Sequence, residues 1–193
     1  MYENPLSIVR FLQELELLKN AHRTAWSSTG RPESVAEHSW RMAMFALVLE
    51  PEFLEADMAR VMRLCLVHDL GEALEGDLSA TIPVAREEKL ATEKRALLHL
   101  VAPLSAPSAH RILALWDEYN SGETVESRIA KAIDKMETII QHNQGKNPDN
   151  FDYSFNLEYG RSLAGWSDVL SEIRQIIDSQ TEARQEERDR RSR

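Results

Sequence analysis

The chain has 193 residues and a mass of 22.1 kDa, which fits one domain able to bury roughly 70% of its unfolded surface. A hydrophobic fraction of 42%, a mean hydropathy of −0.43 and no long apolar run argue against a membrane span and predict a soluble protein. The formal net charge of −9 argues against general binding to DNA or RNA, because a nucleic-acid surface needs a basic field.

The beginning of the chain gives the first helix signals. An Asn-Pro pair is followed by apolar residues at helical spacing, which predicts a helix over residues 5–20. Ser34 and Glu37 form a Ser-x-x-Glu capping box, so a second helix is predicted over residues 34–51. Neither segment has the basic start and continuous apolar core of a secretion signal, and we expect a cytoplasmic protein.

The remaining predicted elements are also helical. In the third helix, over residues 55–74, His68 shares one stripe with Val61 and Leu64 and therefore faces inward. The single cysteine, Cys65, lies in the same stripe and is expected to be a buried structural thiol. Further helices are predicted over residues 86–101, 107–119, 126–142 and 159–179, with a loop over 76–83 and a polar turn over 143–152.

No alternating pattern is long enough to build a sheet, so the predicted class is an all-α, compact single domain. The helix over residues 126–142 carries Asp134 beside its core stripe of Ile129, Ile133, Met136 and Ile140. We place the domain at residues 1–179. From Gln180 onward there is one alanine and no larger apolar residue, which predicts a charged, disordered tail over residues 180–193.

The adjacent pair His68-Asp69 is the strongest functional signal. Two such residues flanked by apolar side chains in a helix are costly unless something satisfies both, and a divalent metal ion does so. A lone His68 would be interpreted as a core histidine bonded to backbone. Two further residues of the right type, His38 and Asp134, lie in comparable helical settings and complete a set of two imidazoles and two carboxylates.

The surroundings of these residues carry a family resemblance. It runs from about Arg23 to Glu137 and includes Arg31-Pro32-Glu33-Ser34-Val35-Ala36-Glu37-His38, His68-Asp69-Leu70-Gly71-Glu72, Gly76-Asp77, Pro83, Leu115-Trp116-Asp117-Glu118-Tyr119, Thr124 and Asp134-Lys135-Met136-Glu137. In this order and context the chain resembles the HD-domain superfamily of metal-dependent phosphohydrolases, and within it the small 5'-deoxynucleotidase branch. The resemblance implies a helical fold with the metal site between central helices.

The resemblance also implies roles for individual residues. The metal ligands would be His38, His68, Asp69 and Asp134, with Mn, Co, Mg, Fe or Zn as the divalent ion. Catalysis would involve Glu72 and Asp77, and a possible second ion would lie at Glu72, Asp77 and Leu78. Substrate contacts would come from Arg23, Trp26, Asp69, Asp77, Leu78 and Asp134, with Arg23 selecting the deoxyribose. Packing alone would also explain a tryptophan such as Trp26.

Three hypotheses of function remain at this point. The first is a metal-dependent hydrolase of deoxynucleoside 5'-monophosphates, acting on a small molecule and, as its relatives commonly are, a homodimer. The second keeps the metal but changes the substrate to a triphosphate, a guanosine polyphosphate or a cyclic nucleotide. The third is a non-catalytic nucleotide-binding helical protein. The acidic net charge requires local attraction of any phosphate, by metal and by arginine, which favours a mononucleotide over a polymer.

Overall fold

The computed structural model describes residues 3–74, 76 and 85–191. The helices are α1 Pro5–Glu14, α2 Leu17–Asn20, α3 Val35–Leu49, α4 Met58–Val67, α5 Arg86–Val101, α6 Ala106–Ser121, α7 Val125–Gln144, α8 Ser154–Glu158 and α9 Asp168–Arg191. Two strands, β1 His22–Trp26 and β2 Pro32–Ser34, and short 3₁₀ turns at Glu50–Glu52, Leu70–Ala73 and Arg161–Leu163 complete these parts of the chain. The all-α prediction is confirmed. No helix among these elements is long and apolar enough to cross a membrane.

Helix α7 lies at the centre of the fold. It packs against α3, α4, α6 and α9, and also against β1. Ile129, Ile133 and Met136 of its predicted stripe are buried, and Ile140 packs partly buried against the same cluster. Burying each such side chain stabilises the fold by about 1.5–3 kcal/mol, so the position of α7 is strongly determined. Residues on α7 are therefore held firmly against α3 and α4.

The two strands are a correction to the prediction that the chain has no strand. They pair antiparallel, with His22 opposite Ser34 and Trp26 opposite Pro32 across an irregular register. The connection closes where the Ser27 amide donates to the Arg31 carbonyl, and Gly30 takes a φ of +89° that favours glycine. The strands have no alternating apolar pattern because most of their side chains serve polar contacts, so a periodicity argument misses them.

The helix predicted over residues 5–20 is divided into α1 and α2. Asn4 caps α1 as expected, since its side chain accepts from the Leu6 amide at 2.9 Å. The helix ends at Glu14, and the short α2 follows with Leu18 buried in an apolar cluster against which Leu15 and Leu17 also pack. Leu15, Leu17 and Leu18 thus all contact one apolar cluster around the break between the two helices.

The capping box at the start of α3 is confirmed. The Ser34 hydroxyl accepts from the Glu37 amide, and the Glu37 carboxylate accepts from the Ser34 amide at 2.9 Å. Helix α3 then buries Val35 and His38, whereas Trp40 lies on its exposed face. The box therefore fixes the helix start four residues before His38.

The helix predicted over residues 55–74 is shorter in the structure. Helix α4 ends at Val67, and His68 and Asp69 lie in a turn before the 3₁₀ segment Leu70–Ala73. The Asp69 backbone has φ −103° and ψ +13°, outside the α-helical region. A side chain at Gly71 would place its Cβ 2.6 Å from that of Glu93, so only glycine allows this segment to pack so closely on α5. The His-Asp pair thus sits at a helix end, not within a helix.

The last part of the chain also differs from the prediction. The segment predicted as one helix over residues 159–179 contains a 3₁₀ turn, and α9 begins only at Asp168. Helix α9 then continues to Arg191, so residues 180–191 are helical and not disordered. Buried Thr181 exchanges hydrogen bonds with Asn143 at about 3.0 Å, and Arg184 donates to the Gly145 carbonyl at 3.1 Å. These polar contacts order a segment that has almost no apolar residues.

Candidate active site

Three elements bring the predicted metal ligands together. His38 comes from α3, His68 and Asp69 from the turn after α4, and Asp134 from α7. Ligand atoms of His38, His68 and Asp69 all lie within 4.8 Å of one another. The Asp134 Oδ1 atom lies 3.3 Å from His38 Nε2, beside this group. The sequence prediction that these four residues are neighbours is therefore met by the geometry.

Both histidines present Nε2 to the carboxylates. The His68 Nδ1–H donates to the Cys65 carbonyl at 2.8 Å, and His38 Nδ1 is hydrogen-bonded to the Glu137 carboxylate. Neither Nε2 atom makes a well-formed hydrogen bond to any described residue, although both imidazoles are buried. The nearest carboxylate to His68 Nε2 is that of Asp69, at 3.0 Å. Buried imidazole nitrogens oriented in this way fit a divalent metal ion.

Asp134 is held as an ionised carboxylate. Its Oδ2 accepts from the Tyr119 hydroxyl at 2.6 Å and pairs with Lys135 Nζ at 2.8 Å, which leaves Oδ1 to face His38. Burial alone would raise the pKa of Asp134, but Lys135 and the two histidines hold it well below its ordinary range. The pKa of Asp69 is likewise held low against the effect of burial, chiefly by His68. Two charged carboxylates therefore face the two imidazoles.

Arg23 joins the first strand to this site. Its guanidinium lies 3.4 Å from Asp69 Oδ2, donates to the Thr138 hydroxyl at 2.9 Å and lies 3.4 Å from Glu33. The side chain is only 10% exposed. Arg23 is therefore not an exposed surface charge between two helices, because its guanidinium lies among residues of the site.

A second group of acidic residues lies behind His38. Ligand atoms of Glu33, His38 and Glu137 also fall within 4.8 Å of one another. These carboxylates already face guanidinium groups, since Glu137 pairs with Arg41 and Glu33 lies beside Arg23. Burial and the neighbouring Glu137 raise the pKa of Glu33 to about 7. We interpret the two glutamates of this group as supports for His38 and Arg23. The sequence analysis did not predict this role, although both glutamates lie in motifs that it quoted.

The site opens into a cavity of about 740 Å³. Its walls include the predicted site residues Arg23, Trp26, Asp69, Glu72 and Asp134. Glu72 is buried, with Oε1 3.6 Å from Lys89 Nζ. Lys89 and Lys135 also line the cavity, so cationic groups surround the acidic ones. The predicted roles of Asp77 and Leu78 concern positions outside the described residues.

Part of the cavity wall is aromatic. It contains half-buried rings that the sequence analysis did not assign to a site: Phe151, Phe155 and Tyr159. Phe151 lies within the predicted polar turn over residues 143–152 and Phe155 lies just after it, where no motif marks either ring. Trp26 completes this wall, with its ring centroid 6.3 Å from that of Phe151.

Comparison with known proteins decides the family. The sequence profile described as HD domain matches residues 15–174. The chain belongs to the HD domain family. Among curated HD-domain relatives, the Bos taurus protein "5'-deoxynucleotidase HDDC2" is 35% identical over 146 residues, which cover 75% of this chain and 70% of the relative. The Schizosaccharomyces pombe protein "5'-deoxynucleotidase hdd1" is 33% identical over 185 residues, which cover 89% and 92%.

A solved structure agrees with the HD-domain assignment. The crystal structure of a "Predicted metal-dependent phosphohydrolase" from Magnetospirillum magnetotacticum superposes with a TM-score of 0.77 at 26% identity, and the match covers 93% of each chain. The fold is therefore shared over nearly the whole length of both proteins.

Proposed function

We propose that this HD-domain protein is a metal-dependent phosphohydrolase that removes the 5'-phosphate from deoxynucleoside 5'-monophosphates. The observation that carries the proposal is the pair of buried Nε2 atoms of His38 and His68, which face the carboxylates of Asp69 and Asp134 at the wall of a large cavity. A volume of about 740 Å³ is within the range of small-molecule sites. Relatives named 5'-deoxynucleotidases support this substrate class.

His38, His68, Asp69 and Asp134 would hold the divalent ion. A mixed nitrogen and oxygen donor set suits Mn, Co, Fe, Zn or Mg. When bound, such an ion lowers the pKa of its water to about 7 in favourable cases and neutralises charge on phosphoryl oxygens. No nucleophilic side chain is required. Cys65 is buried, and burial raises the pKa of its thiol, so it serves packing.

Cationic side chains solve the problem that the net charge of −9 poses for an anionic substrate. Arg23, Lys89 and Lys135 line the cavity that contains the carboxylates. The pKa of Lys89 is raised because Glu72 and Glu93 outweigh the effect of burial, so it remains charged. These groups would bind and orient the phosphate locally, where a low dielectric makes each charge more effective than in water.

Glu72 would position the attacking water and pass a proton to the leaving 5'-oxygen. Its buried carboxylate lines the same cavity as Asp69 and Asp134, which places it within the reaction space. Asp77 and Leu78 follow shortly after it in the chain. We retain them in the proposal as sugar contacts and, with Glu72, as ligands of a possible second ion.

A phosphate-release screen tests the proposal. Metal-loaded protein is offered deoxynucleoside and ribonucleoside monophosphates, triphosphates, guanosine polyphosphates and cyclic nucleotides with several divalent ions. We expect the fastest release from deoxynucleoside monophosphates. Release only from another class would favour the second hypothesis. Binding without release under any ion would favour the non-catalytic one.

The metal assignment has its own test. His68→Ala should lose the bound ion in elemental analysis while keeping its helical circular dichroism, because the fold rests on apolar clusters to which the His68 side chain does not belong. His110→Ala, at an exposed histidine of α6, is the matched control and should keep the ion. Equal metal content in wild type and His68→Ala would overturn the ligand set.

The role of Glu72 separates catalysis from binding. Glu72→Ala should keep the primary ion and bind nucleotide, while turnover falls roughly 10²- to 10⁴-fold, the usual contribution of a positioned acid or base. Metal content, nucleotide affinity and single-turnover rates are compared with wild type. An unchanged rate removes Glu72 from the chemistry, and loss of the ion makes it a ligand instead.

Homodimer formation and a cytoplasmic location are also part of the proposal. Helix α3 exposes an apolar row in which Trp40, Met44 and Val48 are 63%, 42% and 72% exposed. A contiguous apolar row of this kind supports association. Light scattering should give twice the chain mass. Trp40→Glu should lower the measured mass, whereas Ile176→Glu, at an exposed position of α9, should leave it unchanged.

The lone cysteine, buried and unpaired, supports a reducing compartment.

A further inference from the structure

The cavity has two chemically different ends. The metal-site end contains Asp69, Asp134 and the cationic groups, whereas another part of the wall consists of half-buried aromatic rings. Trp116, a ring buried in the core, is only 2% exposed. The rings of Phe151 and Phe155 instead keep part of their surface open to the cavity.

The distance between the two ends follows from contacts across each side. On one side, Lys135 Nζ lies 2.8 Å from Asp134 Oδ2 and 5.0 Å from the centroid of the Tyr159 ring. The Phe155 ring is a further 5.0 Å from Tyr159, centroid to centroid. Phe155 is therefore two ring contacts away from the carboxylate. These contacts connect the Phe155 ring to the metal-site end within one cavity.

The other side gives a similar separation. Arg23 contacts Asp69, and Trp26 follows three residues later on β1, which is about 10 Å along an extended strand. Trp26 meets Phe151 edge to face, at an interplanar angle of 87°. Both sides thus connect a charged part of the cavity to an aromatic part.

We propose that Phe155 and Phe151 form the nucleobase subsite of this cavity, with Phe155 supplying the stacking face. This inference rests on the proposed function, and it assigns a binding place to the nucleobase, which the proposed function does not locate. Every base has a π-face, so stacking tolerates all four bases and favours purines through their larger area. The subsite therefore selects nucleotides over other sugar phosphates, and it discriminates only weakly between bases.

Phe155 is the better residue to test, because Phe151 also supports the surrounding structure. The Phe151 ring contacts Trp26, His142 and Tyr153, with centroid distances of 6.3, 4.8 and 4.9 Å. Phe155 contacts the ring of Tyr159 and is half-buried in the short α8. Phe155→Ala removes the ring, and Phe155→Leu keeps apolar volume without an aromatic face. Phe53→Ala, at a half-buried ring outside the cavity, is the matched control.

The first measurement compares dAMP with 2-deoxyribose 5-phosphate, which lacks the base. Both Phe155 variants should lower kcat/KM for dAMP by roughly 10- to 100-fold, mainly through KM, and leave that for deoxyribose phosphate unchanged. The loss should be smaller for dCMP than for dAMP. Equal losses on both substrates would assign Phe155 a structural role and overturn the proposal, as would no loss on dAMP.

The second measurement does not depend on turnover. Metal-loaded wild type and variants are titrated with 2'-deoxyadenosine, which carries no phosphate, and binding is followed by ligand-observed NMR. We expect the base protons to receive the strongest saturation and the affinity to fall about 10-fold or more in both Phe155 variants, but not in Phe53→Ala. Unchanged affinity overturns the base subsite. If no nucleotide is hydrolysed yet this binding difference appears, the proposed reaction fails and the subsite stands.

Discussion

His38 enters the site with its ring already oriented by Glu137. The carboxylate of Glu137 holds Nδ1, and Arg41 holds the other side of the same carboxylate. Burial alone would raise the pKa of Glu137, but His38 and Arg41 hold it below its ordinary value. A charged acceptor behind an imidazole fixes the orientation of the ring and strengthens it as a metal ligand.

This arrangement predicts the effect of a single-atom change. Glu137→Gln should weaken binding of the divalent ion roughly 10- to 100-fold, because the neutral amide is a poorer acceptor for Nδ1–H. Isothermal titration with the metal measures the affinity, and circular dichroism checks the helix content. Glu172→Gln, at an exposed glutamate of α9, is the control. A metal affinity unchanged from wild type would show that Glu137 serves packing alone.

Arg23 is predicted to sense the sugar. Its guanidinium lies beside both Asp69 and Thr138, so it is fixed in direction at the cavity wall. Arg23→Ala should reduce activity on deoxynucleotides and erode their advantage over ribonucleotides, and Arg23→Lys should not rescue it, since an ammonium lacks the planar fork. Paired kinetics on dAMP and AMP test this, with exposed Arg10→Ala as control. Identical ratios in wild type and Arg23→Ala would remove Arg23 from sugar selection.

At the residue scale, the metal set could be predicted because its members are unusual in their settings. A histidine and an aspartate among apolar residues require a partner, and the geometry brings His38, His68, Asp69 and Asp134 together. Glu33, Arg41 and Phe155 could not be assigned, because charged and aromatic residues have ordinary uses on helices. The partner of Arg41 illustrates this, because Glu137 lies 96 residues further along the chain.

At the element scale, local signals predicted helix starts better than helix ends. The helix start at Asn4 and the capping box at Ser34 are both present in the structure. The ends of α1 and α4 were missed because they depend on packing against distant elements, as Gly71 on α5 illustrates. The strands were missed because they have no periodic apolar pattern. Tertiary contacts of Arg23 hold β1 in place instead.

The cap of α3 is predicted to stabilise the helix that carries His38. Ser34→Ala should lower the free energy of unfolding by about 1 kcal/mol, or Tm by roughly 2–4 °C. Scanning calorimetry measures the change in Tm, with Ser179→Ala, at an exposed position of α9, as the control. An unchanged Tm would mean that tertiary packing alone fixes the start of α3.

The same cap predicts a pH dependence. Hydrogen bonds from Arg31 and Ser34 lower the pKa of Glu37 to about 2 from 4.5. A carboxyl group whose pKa is lower in the folded state than in the unfolded state stabilises the fold at pH values above the unfolded-state pKa. This stabilisation is lost as the pH falls toward the folded-state pKa. The Tm difference between wild type and Glu37→Gln should therefore have its full size above pH 5 and should become smaller as the pH falls below 4.5. A difference that widens with acid would contradict this sign.

At the scale of the whole molecule, the last turns of α9 support the aromatic end of the cavity. Arg188 donates to the Phe151 carbonyl at 3.0 Å, and Arg184 donates to the Tyr153 hydroxyl at 3.2 Å. The division of the chain at residue 179 remains a prediction from composition. These contacts argue against it, because they join the charged segment to the wall that we assign to the base.

Removing this segment should therefore affect both stability and binding. Deletion of residues 180–193 removes buried Thr181 and the contacts of Arg184 and Arg188, each hydrogen bond contributing about 1 kcal/mol, so Tm should fall roughly 6–12 °C. Arg188→Ala alone should raise KM for dAMP several-fold and leave kcat nearly unchanged, since the reacting groups lie at the opposite end of the cavity. Arg190→Ala, which removes a side chain bonded within its own helix, is the control. If the truncated chain keeps wild-type Tm and KM, the segment is dispensable and the domain does end near residue 179.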